Sequence, residues 1–212
     1  MKKIFIIDYG YGNLFGLKKA LAYAGADVVV SAYPADFSGA AALVLPGVGA
    51  FGEGISEFEK RGFKKAVLDA FFSGKPLLGI CLGMQFLFDK SYEFGEHAGL
   101  GIISGEVKQL SVQPGTFCKI PHIGWNALWP PDGKNSFSGH LLDNVTPGSQ
   151  VYFVHSFVGY AASAADVLAN TRYCDSVFPS VVCKANTFGV QFHPEKSGAV
   201  GIQILKNFIS LL

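Results

Sequence analysis

Four short apolar runs constrain the fold of this chain more than any other feature. They are Ile4-Phe5-Ile6-Ile7, Val28-Val29-Val30, Leu43-Val44-Leu45 and Leu77-Leu78-Gly79-Ile80. Each is too short for a helix and lacks the polar alternation of a half-exposed strand, so each reads as a strand buried on both faces. Helical patterns lie between them. Asn13 can cap a stripe of Leu14, Leu17, Leu21 and Ala24 that Gly25 ends. Phe63, Ala66, Val67, Ala70 and Phe71 form a second stripe ending at Gly74, and a third helical pattern runs from Leu82 to Phe88. Strands alternating with helices predict an α/β fold with a mostly parallel central sheet flanked by helices. From Ile102 to Val190 short β-like runs are broken by Gly, Pro and Asn, and these predict added antiparallel strands and loops. Ile202, Leu205, Phe208, Ile209 and Leu212 make a closing amphipathic helix. No repeat or low-complexity linker divides the 212 residues, so a single domain over 1–212 is expected.

Composition narrows the function classes. Half the residues are hydrophobic and 16% are charged, against about 25% in an average domain, which excludes a disordered solvating chain. Seventeen basic against sixteen acidic residues leave +1, so no global field draws nucleic acid or an anionic membrane. No apolar run approaches the roughly 18 residues of a membrane span. Cys81, Cys118, Cys174 and Cys183 form no CxxC pair, and Met1-Lys2-Lys3 leads straight into a strand-like run without a secretory signal. Reduced thiols in a cytoplasmic protein are expected, with Cys118, Cys174 and Cys183 as buried thiols. No His, Cys or carboxylate cluster has ligand spacing, so neither metal nor cofactor is expected.

Gly79-Ile80-Cys81-Leu82-Gly83 fits the pattern G-x-nucleophile-x-G between a strand and a helix, the cysteine form of a nucleophile elbow. A sharp turn there lifts the sulfur above the sheet, and the glycines remove side chains that would clash. The following helix would place positive partial charge at the sulfur and favour thiolate. The Leu82 N–H would be placed to bind an oxyanion.

A cysteine nucleophile needs a base and a group to orient it. Phe188-Gly189-Val190-Gln191-Phe192 reads as a strand that runs into His193-Pro194-Glu195. Residues i and i+2 of extended backbone point the same way, and Pro194 holds His193 extended. Glu195 can then bind one imidazole nitrogen and leave the other for Cys81. His97 and His140 lie in polar stretches and read as solvent-facing. In Leu43–Gly52 a strand breaks into Pro46-Gly47-Val48-Gly49, which lacks the Lys-Ser/Thr of a phosphate loop. Glycines on both sides of Val48 let a peptide N–H turn toward a carbonyl under attack, so this reads as an oxyanion loop.

These motifs occur together, in order, with KIPHIGWN (119–126) and YFVHSF (152–157). Over nearly its full length the chain resembles the glutaminase subunits of imidazole glycerol phosphate synthase, within the class I triad-type glutamine amidotransferases. The resemblance implies hydrolysis of L-glutamine and delivery of ammonia to a separate (βα)8-barrel cyclase in a heterodimer of histidine biosynthesis. It implies Cys81 as nucleophile, His193 as base and Glu195 as its orienter, with Gly47, Val48, Gly49 and Leu82 about the oxyanion. It implies Gln85, Glu93, Ser156 and Phe157 as glutamine-binding residues. Phe157 is often a tyrosine in relatives, so one hydroxyl is missing here. Trp125 and Lys196 would face the partner beside the ammonia exit, whereas alone they read as a core residue and a solvated charge. A paralogue feeding a sugar-modifying (acetamidino) synthetase would carry the same chemistry, and a non-catalytic regulatory subunit would keep only the fold.

Overall fold

The structure is a computed structural model, and it describes residues 2–113, 118–137 and 139–212. The chain runs β1 (Lys3–Ile7), α1 (Leu14–Tyr23), β2 (Asp27–Ser31), β3 (Ala42–Leu45), α2 (Phe51–Lys60), α3 (Phe63–Phe72), β4 (Leu77–Ile80) and α4 (Leu82–Gln85). It continues with β5 (Phe88–Ser91), β6 (His97–Ala98), β7 (Ile103–Gln109), β8 (His122–Ala127), β9 (Gln150–His155) and β10 (Phe157–Ala161). It ends with β11 (Val167–Tyr173), β12 (Ser176–Lys184), β13 (Thr187–Val190) and α5 (Gly198–Ser210).

A seven-stranded sheet in the order β11-β12-β13-β4-β3-β1-β2 is parallel from β13 to β2 and antiparallel at β11 and β12. Successive side chains of a strand face opposite ways, and the sheet divides its apolar residues accordingly. Ile4, Ile6, Val44, Leu78, Ile80 and Val190 pack on one face with Leu17 and Leu21 of α1 and Leu205 and Phe208 of α5. Phe5, Ile7, Leu43, Leu45 and Leu77 pack on the other with Phe58 of α2 and Val67 of α3. The remaining strands form a four-stranded sheet, β10-β7-β5-β6, and the antiparallel ribbon β8-β9.

Five expectations change. The pattern over 82–88 yields one helical turn and then β5, because Leu100 N–H donates to the Phe86 carbonyl and Ile102 N–H to the Leu87 carbonyl, bonds that replace helical ones. The segment 51–60, part of which reads as loop, is the helix α2, with Phe51, Ile55 and Phe58 buried despite Gly52 and Gly54. Val28–Val30 are half-buried, because β2 is the sheet's edge strand. Cys118 and Cys174 are not separate thiols: they are joined in a disulfide, with Cα atoms 6.5 Å apart across 56 residues of sequence, a proximity that spacing alone does not reveal. Cys183 is half-buried and burial pushes its thiol up to about 11. Among the described residues no helix is long and apolar enough to cross a membrane, and no group of three His, Cys, Asp or Glu could hold a metal ion.

Candidate active site

Cys81 ends β4 in a backbone conformation, φ 55 and ψ −110, that a side-chain-bearing residue rarely adopts. The turn is possible because its neighbours are glycines. A Cβ on Gly83 would strike the Leu45 carbonyl, and one on Gly79 would lie 2.7 Å from the Gly83 oxygen. The strain lifts Cys81 onto the floor of a cavity of about 300 Å³. α4 has only four residues, so the macrodipole expected behind the sulfur is small.

His193 arrives from β13, and its backbone N–H donates to the Tyr152 carbonyl of β9 at 2.9 Å. It is extended, but Pro194–Lys196 form a turn of 3-10 helix, so Glu195 reaches the ring through a tight turn and not along a strand. His193 Nδ1–H donates to Glu195 Oε1 at 3.0 Å, and Asn13 Nδ2 donates to the same oxygen at 3.2 Å. His193 Nε2 is buried without a hydrogen-bond partner among the described residues. Burial acts to lower the His193 pKa, but the neighbouring Cys81 sulfur and Glu195 carboxylate prevail and raise it to about 10. For Glu195, burial favours the neutral acid, and its bond to the His193 ring overcomes this and lowers the pKa.

The 46–52 segment packs directly on the elbow. Tyr9 OH donates to the Pro46 carbonyl at 3.0 Å. A Cβ on Gly47 would lie 2.6 Å from that hydroxyl and 2.8 Å from the Gly83 nitrogen, so Gly47 is there for close approach. Gly49 is the residue with left-handed backbone, φ +101, and Val48 before it is 42% exposed. Glu93 Oε2 accepts from the Phe51 N–H at 2.7 Å and so fastens the start of α2, which no side chain at Ala50 can cap. Burial raises the Glu93 pKa, opposed by this bond.

The cavity brings together Val48, Gly49, Cys81, Leu82, Gln85, Glu93, Ser156 and Phe157. Trp125 is not core: it stands 54% exposed on β8, edge-on to Tyr152, and the exposed Lys196 lies over the Tyr152 ring. His140 is exposed beside Asp143, whereas His97 is half-buried against Phe51.

Sequence reasoning missed three buried polar residues, Gln191 at the sulfur and a histidine pair of which His155 lines the cavity. Gln191 Nε2 donates to Cys81 Sγ at 3.6 Å, and His155 and His122 bond each other at 3.0 Å beside the cavity. The signal for Gln191 is the period of two that links His193 to the site, carried back one step. For His155 it is the alternation in β9, where Val151, Phe153 and His155 share the buried face.

A family model described as glutamine amidotransferase class-I matches residues 5–211. The imidazole glycerol phosphate synthase subunit HisH 1 of Legionella pneumophila (strain Lens) is 42% identical over 213 residues and covers 100% of both chains. Subunit HisH of Salinibacter ruber is 46% identical over 209 residues, 97% of this chain and 93% of its own. Among solved structures, a putative GMP synthase subunit from Thermoplasma acidophilum superposes with TM-score 0.72 at 21% identity, covering 100% and 94% of the two chains. PurLQS from Thermotoga maritima gives 0.73 at 18%, covering 99% and 98%, and both likenesses concern the fold.

Proposed function

We propose, because the chain belongs to the class-I glutamine amidotransferase family, that Cys81, His193 and Glu195 hydrolyse L-glutamine to glutamate and ammonia. The observation that carries this reading is the unpartnered His193 Nε2, buried beside a strained Cys81 while Glu195 binds the other ring nitrogen. The Cys81 thiolate attacks the side-chain amide carbonyl. The oxyanion takes N–H donors from Leu82 and the Val48–Gly49 segment. His193 gives its Nε2 proton to the departing nitrogen, the C–N bond breaks, and a glutamyl thioester remains. His193 then takes a proton from water, the hydroxide displaces the sulfur, and glutamate leaves. Gln85, Glu93, Ser156 and Phe157 line the glutamine pocket, with the Glu93 carboxylate suited to an α-ammonium.

The ammonia goes to a (βα)8-barrel cyclase subunit in a cytoplasmic heterodimer making imidazole glycerol phosphate and an aminoimidazole-carboxamide nucleotide. The full-length likeness to HisH subunits supports this, as do Trp125 and Ile123, both exposed on β8, with Trp125 and Lys196 sharing the Tyr152 ring. Ammonia release from glutamine, measured on the chain alone, with a barrel cyclase, and with cyclase plus its nucleotide ligand, tests the reading. Left-handed Gly49 lets the oxyanion donor be absent at rest, so loading the partner raises kcat by about 10²–10³ and leaves KM nearly unchanged. Absence of ammonia release in all three arms overturns it.

A further inference from the structure

Beside Cys81 lies a run of buried polar groups that exchange no proton in the hydrolysis, and one of them, Gln85, also lines the glutamine pocket. Gln191, Gln85, His155 and His122 are all at least nine-tenths buried. Their order of hydrogen bonding is fixed by backbone carbonyls, which can only accept. Gln85 Nε2 donates to the Phe157 carbonyl at 2.9 Å, so the nitrogen of Gln85 faces inward, and it also meets Gln191 Oε1 at 3.2 Å. The oxygen of Gln191 is thereby committed to Gln85, and its nitrogen must face the sulfur.

The same logic runs outward from Phe157. Its carbonyl accepts from His155 Nδ1 at 3.1 Å, which leaves His155 Nε2 to accept from His122 Nδ1–H at 3.0 Å. His122 Nε2 then accepts from Asn126 Nδ2 at 3.5 Å, and that nitrogen also donates to the Arg172 carbonyl at 2.8 Å. The Phe157 carbonyl in the middle of the run and the Arg172 carbonyl at its outer end can only accept, so a flip of Gln85 or of the His155 ring would leave a buried group unpaired. Burial lowers the pKa values of His122 and His155, which keeps both rings in the neutral form this order requires.

We propose that Gln191 is a fixed N–H donor to the reacting sulfur, and that Gln85, His155 and His122 are positioning residues that hold its amide in the donating orientation. The inference rests on Cys81 being the nucleophile, but its test reads the sulfur and not glutamine turnover. A donor to an anion stabilises the thiolate that attacks and the thiolate that leaves the thioester. The strand β8 that bears Trp125 carries His122 and Asn126 as well, so the relay joins the face proposed for the partner to the nucleophile.

The experiment measures the rate of Cys81 alkylation by uncharged iodoacetamide at neutral pH on the full chain, counting label on the Cys81 peptide by mass. Gln191→Met keeps length and removes the donor, and Gln191→Glu keeps the oxygen that Gln85 needs while removing the N–H. Both are expected to slow alkylation about tenfold or more, the scale of a hydrogen bond to a charged group. In the glutaminase assay kcat falls with alkylation while KM stays within a few-fold. An unchanged rate in folded Gln191→Met, or a rate restored to the native one in Gln191→Glu, overturns the proposal, because Gln191 would then only brace Gln85. If Gln191→Met does not fold, the His155 pair decides. His155→Leu slows alkylation several-fold and His155→Asn, whose Nδ2 can still donate to the Phe157 carbonyl, restores it; equal rates in both overturn the proposal. Loss of ammonia release with alkylation rates as expected would refute the proposed activity and leave this inference standing.

Discussion

Two hydrogen-bonded arms reach Cys81. In one, His193 leans on Glu195, and Glu195 takes a second bond from Asn13. In the other, Gln191 leans on Gln85, and the bonds continue through the Phe157 carbonyl to His155, His122 and Asn126. Both arms are buried and both end in an asparagine. The first is charged: burial opposes each of its ions, and they persist because His193 faces the Cys81 sulfur and Glu195, and Glu195 faces His193. The second is neutral and takes its order from the Phe157 carbonyl in its middle and the Arg172 carbonyl at its far end, so it orients without transferring a proton. The charged arm has two buried atoms without a hydrogen-bond partner among the described residues, His193 Nε2 and Glu195 Oε2, and the first is the atom that must exchange protons.

Removing the atom where the arms meet gives the largest effect. Cys81→Ala is expected to lower kcat for glutamine by about 10⁶, since members of such a constellation act as a unit. Synthesis by the complex from added ammonia should survive. Glutamine turnover retained in this variant would refute the assignment.

Breaking the charged arm comes next. Glu195→Gln keeps the shape and the oxygen that His193 and Asn13 share but removes the charge facing the imidazolium. We expect kcat to fall by about 10²–10⁴ with KM little changed. An unchanged kcat would show that the carboxylate is incidental and that the neutral arm and the oxyanion donors suffice.

The two arms also differ in how far the sequence announces them. The parallel strands and the Gly79–Gly83 elbow are legible because local sterics dictate them: a Cβ at Gly79 or Gly83 has no room. His193 and Glu195 are legible because two residues of separation bring them together in any tight backbone. Gln191 and Gln85, 106 residues apart, and His122 and His155, 33 apart, meet only through the pairing of β13 with β4 and of β8 with β9. The Cys118–Cys174 bond is hidden for the same reason. Helix α2 is a local feature that its two glycines disguise, and the 82–88 pattern misleads because Phe86, Leu87 and Phe88 are buried by β-type contacts that periodicity cannot distinguish from helical ones.

Stability against pH separates the arms with the smallest expected effect. Burial lowers His122 to about 4, and burial with the charge of its neighbours lowers His155 to about 3. In the unfolded chain both titrate near 6.5. Above pH 6.5 both states are neutral and the pair contributes no pH dependence. Between about 6.5 and 4 the unfolded chain binds protons that the folded chain refuses, so stability falls as pH falls. His193 runs the opposite way. Its folded pKa is raised to about 10, so its contribution is complete below 6.5 and is lost as pH rises through 10. The neutral arm therefore sets the acid limb together with Glu195, whose lowered pKa adds a loss at still lower pH, and the charged arm sets the alkaline limb. Thermal unfolding at pH 6.5 and pH 4 should show lower stability at pH 4, with the histidine pair contributing to the loss. The double variant His122→Asn with His155→Asn removes the titrating rings but keeps amide donors, so it should lose less than the native chain over that interval while its alkaline limb is unchanged. Parallel acid limbs in the two proteins would show that the pair is protonated in the folded state at no cost, and the contrast between a charged and a neutral arm would fail.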